Sequence, residues 1–260
     1  MSAFASAFLF EWRKTKRSAA LWLIILGAGF TPAFVTVARL LSPAKLPQLY
    51  ATGDFWTSLW TSSWESMAIF LLPMAAILAT SLSVHLEWRN DAWKQLHTLP
   101  LAPAALFFAK LAIALVLVAA FLVLFDVAIV LSALVPALVF ESVPLPAAAM
   151  PVGSFAIQTA LYFVDASPIV VATYLLALRS RNFLVPIGVG FLAWVAALAG
   201  LSSSLGIWVP YAYPIMHYLQ QHPTARAIPA AHDIHGVAIA YATVFIAIAY
   251  ASFVLQPRKG

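Results

Sequence analysis

The chain has no cysteine among its 260 residues, which excludes disulfides, thiolate metal sites and cysteine nucleophiles. It has little charge either: Asp, Glu, Lys and Arg together make up 9% of the sequence, too little to give a water-soluble domain of this size a polar surface. It lacks G-x-x-x-x-G-K-[ST], so it cannot cradle nucleotide phosphates in a P-loop of its own. No internal repeat, low-complexity tract or linker divides it, and one membrane domain over residues 1–260 is the simplest organisation. What the chain does have is 63% hydrophobic residues and a mean hydropathy of +0.94, so its solvent is lipid. A net charge of +5 and a pI near 9.6 raise nucleic acid as a partner. The basic residues flank apolar runs and form no continuous face, so they point to membrane orientation and to no nucleic acid.

Apolar stretches of roughly 18 or more residues run over Ser18 to Val37, Met67 to Val84, Leu111 to Leu134, Val152 to Leu178, Phe183 to Leu201 and Ile234 to Leu255. Each is long enough to cross about 30 Å of hydrocarbon as a helix. Uninterrupted runs of this length match helices and not the alternation of a β-barrel. The expected fold is an all-α integral membrane protein with six transmembrane helices.

Lys and Arg near span ends tend to stay on the cytoplasmic side. With the N-terminus inside, the inner segments hold Arg13, Lys14, Lys16, Arg17, Arg89, Lys94, Arg179, Arg181, Arg258 and Lys259, with Lys110 at a membrane edge, while Arg39, Lys45 and Arg226 fall outside. Both termini are therefore expected in the cytoplasm, and the location is a cell's inner (plasma) membrane. The first apolar run is too long for a signal peptide, and no small-residue cleavage site clearly follows it. Ahead of it, Phe4, Phe8 and Trp12 repeat every four residues and charge crowds the end of the segment. Residues 1–17 thus read as an amphipathic interfacial helix on membrane lipid.

Between the second and third spans, residues 85–104 bring Trp88, Ala92, Leu96 and Leu99 to helical spacing, with Glu87, Arg89, Asp91 and Lys94 between them. Pro100 and Pro103 end this short amphipathic helix. The pattern Glu87, Trp93-Lys94, Leu96, Pro100 and Lys110 resembles the segment between spans two and three of ABC-2 type transporter permeases. The opening Glu11-Trp12-Arg13-Lys14 is similar to the start of those subunits. In length and in this loop the chain most resembles the small permeases of lantibiotic and bacteriocin export or immunity transporters. The resemblance implies a permease whose N-terminal helix and cytoplasmic coupling helix are gripped by a separate ATP-binding cassette subunit. That subunit, and not this chain, would hold ATP and Mg. A second permease half, identical or homologous, would complete the pathway. Carried onto this sequence, Glu11, Glu87, Arg89, Trp93 and Lys94 become the coupling contacts. The mechanical logic stands on its own, since an amphipathic element tied to two spans converts a push from outside the membrane into movement of those spans.

Charges inside spans are costly and need a reason. Glu65 sits beside Trp56, Trp60 and Trp64, which read as an aromatic belt at the interface. Asp126 lies about 24 Å along the helix from Lys110, toward the outer half of the third span. Asp165 is mid-span in the fourth, where Pro168 withholds the donor for the Val164 carbonyl and leaves a polar kink suited to a hinge or substrate path. Pro73 should similarly release the Ile69 carbonyl in the second span. Residues 202–233 are too apolar for a solvated loop and too broken for a span, so they read as outer re-entrant or interfacial helices. His217, His222, His232 and His235 invite a metal, but no HExxH or equivalent signature accompanies them and no metal site is assigned.

The leading expectation is a permease for an amphipathic substrate such as a peptide antibiotic, driven by ATP hydrolysis in trans and paired with a second half. The alternative is a proton-coupled secondary transporter using Asp126 and Asp165. A membrane-embedded enzyme ranks last, because the spans offer two acids and no histidine.

Overall fold

The computed structural model describes residues 2–16, 18–89, 103–201, 203, 206–221 and 233–255, with the side chains of 86–89 outside that description. Among the described residues the chain is helical and contains no strand. In chain order the helices are α1 (Ala3–Thr15), α2 (Ala19–Leu41), α3 (Leu46–Tyr50), α4 (Phe55–Ser66), α5 (Leu72–Arg89), α6 (Pro103–Val139), α7 (Val152–Arg179), α8 (Leu184–Gly200), α9 (Tyr213–Gln221) and α10 (Ile234–Val254). A π-helical turn, Met67–Leu71, joins α4 to α5. Short 3₁₀ turns at Pro43–Lys45, Gly206–Trp208 and Pro210–Ala212 fill the connections.

Five of these segments are long and apolar enough to cross a membrane: α2, the continuous run Phe55–His85, α6, α7 and α10. The sixth expected span is α8, a shorter apolar helix of 17 residues. The second span begins about a dozen residues earlier than its hydropathy suggests, because Thr, Ser and Trp in α4 continue the helix before the purely apolar stretch starts.

Helix α2 is inside-out relative to a helix of a soluble protein. Along α2 the small residues Ala20 and Ala28, with Ile24 and Pro32, face the protein, while Trp22, Leu26, Phe30 and Phe34 point outward. Lipid is as apolar as a leucine side chain, so nothing drives large residues inward, and small ones let backbones approach. Gly27 illustrates the contact: a Cβ there would lie 3.1 Å from the Phe121 ring on α6.

The tryptophan stripe of α4 departs from its expected interfacial place. Trp56, Trp60 and Trp64 are all buried. Trp60 stacks on Phe155 and Trp64 on Tyr162, each with ring centroids 4.0 Å apart, and the Trp56 indole N–H donates to the Ala148 carbonyl at 2.8 Å. Spacing of four puts side chains on one face but does not say whether lipid or protein covers it. Here α6 and α7 do, and each stacked pair adds about 0.5–1.5 kcal/mol beyond its burial.

Prolines inside the spans release carbonyls that apolar surroundings cannot satisfy, and side chains take them up. The Ile69 carbonyl, freed by Pro73 at the π turn, accepts the Trp194 indole N–H at 2.8 Å. The Val164 carbonyl, freed by Pro168, accepts the Ser167 hydroxyl at 2.7 Å. Pro136 in α6 frees the Ser132 carbonyl, which accepts from Arg39 Nη1 at 3.1 Å. Arg39, expected as an outer-loop charge, instead lies over the Phe55 and Tyr50 rings.

The region expected to be re-entrant holds α9. Its residues Tyr213 to Tyr218 are buried, and it packs against α7, the π turn and α10.

Candidate functional site

Two buried carboxylates occupy separate places in the bundle. At the end where α1 enters, the buried face of α1 is Ala7, Glu11 and Thr15, a four-residue repeat of small and polar groups, while Phe4, Leu9 and Phe10 point outward. The helix therefore docks with its polar stripe inward on α6 and leaves aromatic residues for the lipid. Glu11 Oε1 lies 2.7 Å from Lys14 Nζ and 3.0 Å from Lys110 Nζ. Lys110, expected at a membrane edge, is itself buried. Burial pushes the Glu11 carboxyl up, but Lys110 and Lys14 outweigh it and hold the group below the usual carboxylate range. Glu11, Thr15, Ser83, Val84, Lys110 and Ile113 line one small crevice where α1, α5 and α6 meet.

The expected coupling residues fall partly outside this view. Glu87 and Arg89 are in the last turn of α5, with side chains outside the described residues, and Trp93 and Lys94 lie outside the described residues altogether. Glu11 is described, and its carboxylate faces the bundle.

The second centre is Asp165, fully buried midway along α7. His217 Nδ1 of α9 lies 2.7 Å from its Oδ2, and His235 Nδ1 of α10 lies 2.8 Å from its Oδ1. Burial pushes the His217 imidazole down to about 4, so at neutral pH it is uncharged. Its Nδ1–H then donates to Asp165, leaving the Nε2 lone pair to accept from Gln221 Nε2 at 2.8 Å. The second Gln221 N–H is directed at Gln158 Oε1. Tyr162 stacks on the His217 ring with centroids 4.0 Å apart and is itself stacked on Trp64, which fixes the imidazole plane. His235 is set by the start of α10, where the Asp233 side chain caps the helix by accepting from the Gly236 N–H at 2.9 Å. A Cβ at Gly236 would meet Asp233 Oδ2, so a larger residue there would displace the capping carboxylate.

The expectation that the spans offer two acids and no histidine is overturned here, because His235 lies in the first turn of the spanning helix α10. His217 and His235 are 52 and 70 residues from Asp165 in sequence, and only the insertion of α9 against α7 and α10 brings the three together. His222 and His232 lie outside the described residues. No local spacing encodes the cluster. The available signal was the concentration of histidine beside a span that carries an unexplained acid.

Asp126, the other acid, is on α6. Its Oδ2 accepts the Thr159 hydroxyl of α7 at 2.6 Å, while its Oδ1 is buried without a hydrogen-bond partner among the described residues. Thr159 also donates to the Phe155 carbonyl. Pro168, one turn beyond Asp165, is buried in a helix that continues through it.

Comparison with known proteins adds one match: a family model described as ABC-2 family transporter protein aligns with residues 7–197. No curated protein matches the chain.

Proposed function

The chain belongs to the ABC-2 family of transporter proteins, the membrane-spanning component of an ABC transporter that works with an ATP-binding cassette subunit, and on that premise we propose that it is an exporting permease coupled through α1 and residues 85–104. The substrate class is amphipathic, such as a peptide antibiotic, and the pathway is completed by a second permease half. ATP and Mg are bound by the cassette subunit. The termini lie in the cytoplasm, with the membrane being the inner (plasma) membrane.

The observation that carries this reading is the buried Glu11–Lys110 ion pair. It joins an amphipathic surface helix to the start of α6, beside the segment that links α5 to α6. A force applied to α1 or to residues 85–104 is thereby delivered to the same point of the bundle. Because Glu11 is committed to the lysines, its part in coupling is to hold α1 in place, and Glu87, Arg89, Trp93 and Lys94 are left as the contacts to the ATPase.

The test is a mild-detergent pull-down of the tagged chain from cells that express the neighbouring cassette subunit, comparing wild type with Glu87→Arg. The expected result is recovery of an ATP-binding protein with wild type and at least a tenfold loss with the variant, at equal membrane insertion. Recovery of no nucleotide-binding protein in either sample would overturn the coupling reading.

A further inference from the structure

A carboxylate buried in a spanning helix is expensive and marks a functional site, and Asp165 meets two imidazole nitrogens at 2.7 and 2.8 Å. The donor atoms of Asp165, His217 and His235 all lie within 4.8 Å of one another and come from three different helices, α7, α9 and α10. We propose that these three side chains form a binding site for a divalent transition metal, zinc above all, that clamps α9 and α10 onto α7.

The donor set selects the metal class. Two imidazole nitrogens and one carboxylate oxygen suit zinc and its neighbours, whereas magnesium and calcium prefer all-oxygen sites. Three protein ligands leave a fourth tetrahedral position for water. The nitrogen–oxygen separations of 2.7 and 2.8 Å, each to a different oxygen of the carboxylate, need to open by about 0.6 Å to become edges of a tetrahedral zinc shell with bonds of about 2.0–2.1 Å.

The surroundings of His217 already contain both of its required states. With Nδ1 protonated, Nε2 accepts from Gln221. With Nδ1 on a metal, the ring proton moves to Nε2 and needs an acceptor, and Gln158 Oε1 is 3.0 Å away. Gln221, whose amide nitrogen then faces a ring N–H at 2.8 Å, turns off the ring and keeps Gln158 Oε1 as its acceptor. A metal-bound histidine whose other nitrogen is held by a second group is the usual arrangement. Stacking on Tyr162 keeps the ring plane fixed during the exchange. Access is through His235, whose side chain is 30% exposed, while Asp165 is fully enclosed.

The test uses the full-length chain in detergent, stripped with a chelator, passed over a desalting column, then titrated with zinc chloride or, separately, magnesium chloride. Bound metal is measured by mass spectrometry of the protein fraction and thermal unfolding is followed in parallel. Wild type is expected to retain one zinc per chain and no magnesium, with zinc raising the unfolding temperature because only the folded state holds the site. Asp165→Asn and His217→Gln are expected to lose the zinc. His235→Gln, at the partly exposed rim, keeps the fold without its ligand and should bind at least tenfold more weakly. His222→Gln/His232→Gln should bind as wild type does. Less than stoichiometric zinc on wild type, wild-type binding by a folded His235→Gln chain, or loss of zinc from the His222/His232 variant would each overturn the proposal.

Discussion

Glu11 and Asp165 are both buried carboxylates held between two basic side chains, yet they are built for different purposes. Glu11 sits between Lys14 and Lys110, which pair with it directly and leave the cluster nothing to exchange. Asp165 sits between His217 and His235, whose ring nitrogens are of the kind that ligate a metal. The first is a fixed latch between α1 and α6. The second joins three helices through groups that exchange their ligands. The lesson is that the basic partner, more than the geometry around the acid, decides whether a buried carboxylate is structural or responsive.

Removing one partner from each cluster should separate the two most clearly. Lys110→Met removes the buried partner of Glu11 and leaves it the partly exposed Lys14, so the cost should approach but stay below the about 3–5 kcal/mol of a fully stranded buried charge. The expected readout is a fall in detergent thermal stability together with new proteolytic cleavage after Arg13 or Lys14 as α1 detaches. Glu11→Gln/Lys110→Met should recover most of that loss, because no buried carboxylate remains and Lys14 can turn to solvent. In chelator-treated protein, Asp165→Asn should cost only about 1 kcal/mol, the scale of an exchanged hydrogen bond, since the amide keeps an oxygen for one imidazole and the other can change tautomer. Equal losses from Lys110→Met and Asp165→Asn would erase the distinction.

A neutral reference calibrates both. Trp194→Phe removes the donor to the Ile69 carbonyl while keeping most of the ring packing. The expected loss is about 1 kcal/mol, visible as a lower unfolding temperature and faster amide exchange around the π turn. A loss as large as that of Lys110→Met would mean that the freed carbonyl, and not the ion pair, dominates the energetics of the spans.

How far these features could be read in advance depends on sequence distance. Pro73 identifies Ile69 as the residue with a free carbonyl, because the geometry is local to one helical turn, but nothing within that turn points to Trp194. Apolar length locates the spans, and the layout of six apolar segments with an N-terminal surface helix is legible from it. It also misplaces the start of the second span, since Thr and Ser in α4 are tolerated where tryptophans bury them. The spacing of Trp56, Trp60 and Trp64 defines a face without naming its neighbour. Glu11 looked like an outward contact because its partner Lys110 is 99 residues away. Asp165 looked isolated for the same reason. In each case what stayed hidden was the helix that packs against the residue.

The smallest expected effect concerns acid at the latch. Lys110 and Lys14 hold the folded-state pKa of Glu11 below its ordinary value of 4.5, against the upward push of burial. A carboxylate of this kind contributes stability that is complete above its unfolded pKa and is lost as pH falls through the folded one. The stability gap between wild type and Glu11→Gln should therefore be constant from pH 7 to about 5 and close as the pH drops below 4.5. Because burial opposes the lysines, that gap should be smaller than the loss from Lys110→Met, which removes the attraction and leaves the burial. Thermal unfolding of both proteins from pH 7 to pH 3 measures it directly. A gap that persists unchanged to pH 3 would mean that Glu11 contributes through its shape and not its charge, and the latch would then be a packing contact with no electrostatic contrast to Asp165.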